Sequence, residues 1–119
     1  MRPRILDASA IVALFDAHPP VFDLLTRSQD GDLTMVMPAA AVADANAKIR
    51  ASFDSWQPVL LTAGVTITPL DSHIAIEICE MPGDLATKHV VYEARVMRAV
   101  VVTCNPGMYR GHSVPLLVV

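Results

Sequence analysis

Short apolar runs alternate with amphipathic stretches along the whole of this chain, and no other feature restricts its fold so strongly. The runs "RIL" (4–6), "LTMVMP" (33–38), "VTITPL" (65–70), "VVVT" (100–103) and "VPLLVV" (114–119) have strand length and mostly β-forming composition. Between them lie stretches with helical periodicity: 8–18, with Ile11, Leu14 and Phe15 on one face; 21–30, after an interruption at Pro19-Pro20; 39–53; 55–64; 71–80, capped by Asp71 or Ser72; and 84–99. Pro58 falls in the first turn of the 55–64 segment, and Gly64 reads as its C-cap. Strands separated by helices cannot close tight hairpins and must cross over, which makes them parallel and covers the sheet with helices. The expectation is α/β: one domain over residues 1–119, a three-layer α/β/α sandwich with a central parallel sheet of about five strands.

Composition supports a packed core and excludes some partners. Hydrophobic residues make up 53% of the 119 residues and aromatic ones 5%, so Ala, Val, Leu and Ile do the packing. No apolar run approaches the ~20 residues that cross a bilayer, and the opening "MRPRILDAS" has no apolar stretch of signal-peptide length. A cytoplasmic protein without membrane contact is expected, one that covers part of its apolar surface as a homodimer. Cys79 and Cys104 have no metal-ligand or disulfide spacing and read as packing residues. The net charge of −3 gives no bulk attraction to nucleic acid, and the basic residues are scattered along the sequence.

Chemistry concentrates where strands end. Asp7 follows the first strand, and Asp44 lies six residues after Pro38, in the helix after the second. Asp84 opens the longest helix, and Asn105 follows the fourth strand in "TCNPG". In an open parallel sheet these positions share one rim, where such folds bind ligands. Oxygen donors of this kind suit Mg²⁺ or Mn²⁺. Each residue also has a structural role open to it: Asp7 and Asp84 as N-caps, Asn105 as a turn former, Asp44 as a solvated helix residue, Thr87 as a core residue bonded to backbone, and Thr103 as the end of a strand.

The stretch "ILDASAIVALF" resembles the opening motif of PIN domains, the nuclease fold of many bacterial toxin–antitoxin toxins. "MPAAAVADANAKI" is similar to their second motif, with Asp44 where glutamate is usual, and "ATKHVVYEARVMRAVVVTCNPGMY" to their third. The resemblance implies a site of three or four acids that holds metal ions and hydrolyses single-stranded RNA. Two departures stand out. Thr87 occupies the position of the third acid, with Asp84 three residues earlier on the same helix face, ~4.5 Å nearer the N-terminus. Asn105 offers a neutral amide oxygen at the fourth position. The expected site is therefore Asp7 and Asp44, with Asp84 and Asn105 as auxiliaries and Thr103 and Thr87 in support, binding Mg²⁺ or Mn²⁺ weakly and as one ion.

Two functions fit this reading. The first is a metal-dependent ribonuclease of the toxin kind, with an antitoxin or other protein partner. The second is a catalytically inactive PIN-like module that binds RNA or a protein. Retention of Asp7 and Asp44 favours the first, because two facing carboxylates without a cation repel one another at a cost in stability. The acid-poor third motif favours the second. His89, with Lys88, Tyr92, Glu93 and Arg95, falls off the Val90/Ala94 stripe and reads as a solvated or subunit-facing surface. Trp56 reads as a packing or interface residue, or as a base-stacking platform.

Overall fold

The computed structural model describes residues 2–119. Five strands, β1 (Arg4–Leu6), β2 (Met35–Pro38), β3 (Val65–Thr68), β4 (Val100–Thr103) and β5 (Leu116–Val118), form one all-parallel sheet in the order β3-β2-β1-β4-β5. Six helices connect them: α1 (Ala8–Phe15), α2 (Pro19–Gln29), α3 (Ala39–Ile49), α4 (Phe53–Leu60), α5 (Ser72–Glu77) and α6 (Leu85–Met97). A short 3-10 helix, Pro106–Tyr109, follows β4. The result is the expected three-layer α/β/α sandwich. Its central strands are buried on both faces (Ile5, Leu6, Met35, Met37, Val101 and Val102), as all-parallel sheets require. The edge strands β3 and β5 are more exposed.

Topology positions the site. The strand order reverses between β1 and β4, so their C-terminal ends flank the crevice of a topological switch point. Helix α6 packs on β1, β2 and β4, α1 packs on β1 and β4, and α3 touches both helices. Asp44 on α3 is thereby carried toward the ends of β1 and α6.

Several boundaries differ from the sequence reading, each for a local reason. Helix α2 starts at Pro19, because two prolines tolerated in a first turn begin a helix better than they interrupt one. The 39–53 segment divides at Arg50, which takes a left-handed conformation (φ 58°). Asn46 offsets that strain: its side chain bonds both the N–H and the C=O of Ala51, and accepts from Trp56 Nε1 at 3.0 Å. Trp56 is thus a packing residue, buried with its ring 4.5 Å from that of Phe15. Ser52 caps α4 and places Pro58 within the helix, beyond its first turn. Gly64 lies past the helix end, in the turn into β3, at φ +81°.

Three further corrections concern side chains. Cys79 and Cys104 are exposed, not packed. Arg2, distant in sequence from Arg95 and Arg98, lines one depression with them. His89 and Glu93 are buried, not surface residues. His89 Nδ1 accepts from the N–H of Ala40 in the first turn of α3 (3.3 Å), so the neutral ring carries its proton on Nε2, 3.7 Å from Glu93 Oε1. Burial pushes the imidazole pKa down and the Glu93 carboxyl up, so both groups favour their neutral forms.

Candidate functional site

Asp7 leaves β1 in an extended conformation and caps α1, its Oδ1 accepting from the N–H of Ala10 at 2.9 Å. The same oxygen accepts from Ser9 Oγ at 2.6 Å, and Oδ2 accepts from Tyr109 Oη at 2.8 Å. Three donors therefore fix the carboxylate, which is only 6% exposed. Asp7 thus caps α1 and also lines a crevice. Tyr109 is itself buried beside it, and desolvation together with the Asp7 charge raises the phenol pKa far above its ordinary value.

A crevice of about 220 Å³ opens beside this group. It is lined by Asp7, Ser9, Asp44, Asp84, Thr87, Asn105 and Tyr109, with Lys48 on its wall. The chain thus brings together five of the six residues singled out from sequence. Asp84 serves also as the N-cap of α6, its Oδ1 accepting from the N–H of Thr87 at 2.8 Å. Thr87 is buried, and Asp44 and Asn105 are exposed at the crevice. Thr103 is the exception. Fully buried, it bonds the N–H of Asn105 (2.9 Å) and lies 3.4 Å from Ser9 Oγ, so it reaches Asp7 only through that serine.

The donor set fits one hydrated divalent ion better than a tight cluster. Among the described residues Asp44 makes no hydrogen bond that would occupy its carboxylate, Asp84 keeps Oδ2 free, and Asp7 keeps one lone pair on Oδ2. Among the described residues no group of three His, Cys, Asp or Glu side chains stands close enough to hold an ion jointly. One or two carboxylates with several waters is an ordinary arrangement for Mg²⁺.

Sequence reasoning missed three residues here. Lys48 was legible, since it follows Asp44 by one helical turn on α3. Ser9 and Tyr109 were not. Tyr109 lies 102 residues from the aspartate it holds, and nothing local in "NPGMY" marks the contact.

No family model matches the sequence, and no curated protein matches it. Nineteen chains of solved structures match the fold. Among them is a chain of the crystal structure of VapBC2 from Rickettsia felis bound to a DNA fragment from their promoter. It superposes with a TM-score of 0.71 over 96% of each chain, at 14% sequence identity. At that identity the likeness speaks for the backbone alone, and it agrees with the resemblance carried by the motifs: this chain has the PIN-like fold.

Proposed function

We propose that the chain is a metal-dependent endoribonuclease that hydrolyses phosphodiesters of single-stranded RNA, the toxin of a toxin–antitoxin pair. One observation carries the reading: Asp7, Asp44 and Asp84, from three separate segments, line one crevice at the switch point of a PIN-like sheet. Fold similarity to a toxin–antitoxin complex supports it, and suggests an antitoxin as the protein partner. No single helix among the described residues is long and apolar enough to cross a membrane, and action on RNA belongs in the cytoplasm. Homodimerisation is part of the reading, motivated by apolar side chains left on the surface, such as Phe53, Leu61 and Ile76. Sedimentation equilibrium tests it, and a monomer at 100 micromolar scale removes it.

In this reading Asp44 and Asp7 hold Mg²⁺ or Mn²⁺, with Asp84 and Asn105 as auxiliary oxygen donors. Bound there, the ion supplies charge stabilisation at the phosphate and a more acidic attacking water. Ser9 and Tyr109 keep the Asp7 carboxylate aimed at the crevice. Thr103 supports Ser9, and Thr87 orders the Asp84 carboxylate through its own N–H.

The test is cleavage of a labelled single-stranded RNA in Mn²⁺ by the wild type and by Asp44→Asn. The proposal expects cleavage that chelation with EDTA stops and that the substitution reduces about 100-fold or more. A second reading, an inactive module that binds RNA or a protein, is favoured by the neutral Thr87 and Asn105 and by the Tyr109 bond on Asp7. RNA binding without cleavage in Mn²⁺ or Mg²⁺ selects it.

A further inference from the structure

The acidic crevice contains a cation of the chain's own. Lys48 lies one turn beyond Asp44 on α3 and shares the crevice wall with Asp7, Asp44 and Asp84. Such a neighbour would ordinarily be an i,i+4 ion pair. Here it is not: among the described residues no lysine or arginine nitrogen comes within 4.0 Å of a carboxylate, and Lys48 donates no hydrogen bond. The side chain is exposed, with its ammonium uncommitted.

We propose that Lys48 takes the place of a second metal ion in this crevice, holding a non-bridging oxygen of the RNA phosphate while one divalent ion occupies the carboxylates. The inference rests on the ribonuclease reading above and adds a residue to it. Charge balance motivates it. Three carboxylates against one ammonium leave two negative charges, which a single divalent ion neutralises. A second ion would leave the crevice positive and compete with Lys48 for the same space. The neutral Thr87 and Asn105 remove the ligands a second ion would need. An ammonium is a compact point charge suited to a phosphate oxygen, and it needs no cage of acids.

The experiment uses the full chain and two probes: Mn²⁺, counted by calorimetry, and a fluorescein-labelled 2′-O-methyl RNA 12-mer that resists hydrolysis, followed by anisotropy at several salt concentrations. The wild type is expected to take up one Mn²⁺ per chain. Lys48→Ala is expected to bind Mn²⁺ as tightly or more tightly, because a repelling charge has gone, yet to bind RNA about tenfold more weakly. Its slope of log Kd against log salt should fall by about 0.7, the loss of one phosphate contact to a single strand. Lys48→Arg should keep the slope. A merely structural lysine would leave the slope alone and weaken both ligands together.

RNA affinity and slope unchanged in Lys48→Ala, or two Mn²⁺ ions per wild-type chain, overturns the inference. A wild type that cleaves RNA while Lys48→Ala binds it normally keeps the nuclease and removes Lys48 from it. A wild type that takes up no Mn²⁺ at 10 millimolar scale overturns both the nuclease reading and the substitution for a second ion.

Discussion

Replacing Tyr109 with phenylalanine removes one oxygen atom from the wall of the crevice and leaves the packing almost unchanged. The hydroxyl donates to Asp7 Oδ2 at 2.8 Å between two side chains that are both nearly fully buried. A hydrogen bond to a charged group contributes about 1.5–3 kcal/mol. Oδ2 loses the Tyr109 donor in the variant, whereas Oδ1 keeps Ser9 and Ala10. A loss of about 2 kcal/mol at pH 7 follows, and with a urea slope of about 2 kcal/mol/M the midpoint moves down by about 1 M.

The same bond has a signature at high pH. The folded-state pKa of Tyr109 is raised above its ordinary value of 10.0 by burial and by the Asp7 charge. A raised pKa stabilises the fold fully below the unfolded pKa, and that contribution is lost as pH climbs past it, because only the unfolded chain then ionises. By pH 11 the wild type should lose about 1.4 kcal/mol through this one residue, and Tyr109→Phe should not. Urea melts of both proteins between pH 7 and pH 11 read the two effects together. The gap should be widest at neutral pH and should narrow above pH 10, to about 0.6 kcal/mol at pH 11. A variant within about 0.5 kcal/mol of wild type at pH 7, or a gap that does not narrow in alkali, refutes the claim that this hydroxyl is committed to the Asp7 carboxylate.

Two other substitutions probe the fold around the site. At Gly64, φ +81°, an added Cβ would meet Ser28 Oγ at 2.5 Å, the group that donates to Ala63 O. Gly64→Ala should therefore cost about 2–3 kcal/mol from left-handed strain and a displaced hydrogen bond, read as a fall of roughly 10 °C in the thermal midpoint; a fall under about 2 °C would show that the turn relaxes freely. At Glu93, burial raises the carboxyl pKa, so its favourable contribution is complete below the ordinary value of 4.5 and is lost as pH rises through the folded value. Glu93→Gln should be as stable as wild type or more stable at pH 7, with the advantage gone by pH 4. Destabilisation at pH 7 would mean that the carboxylate is paired with a charged His89.

The alternation of strands and helices was legible because each strand declares itself by local composition and each crossover by its period. The convergence of Asp7, Asp44 and Asp84 followed from that, since parallel strands put all such ends on one rim. His89 and Glu93 were misplaced for a physical reason. Periodicity sees the apolar stripe of α6, but this helix also meets the start of α3, where His89 accepts from Ala40. His89 is buried there off the stripe, its Nδ1 paired with backbone, and Glu93 goes in beside it. The break at Arg50 lacks the glycine that usually marks a left-handed C-cap, and Asn46 makes up for it through contacts that only the folded chain brings together. Ser9 reads in sequence as one more small helix residue. Only with β4 alongside does it become the link between Asp7, Thr103 and the N–H of Cys104.

Divalent-cation binding in the crevice is the central claim. Calorimetric titration of Mn²⁺ into the wild type, Asp7→Asn and Asp44→Asn tests this most directly, with each variant checked for its fold by thermal melting. One ion bound at sub-millimolar Kd by the wild type, and by neither variant, is the predicted result. No uptake by the wild type at several millimolar, with all three proteins folded, would contradict it and leave Asp7 as a helix cap.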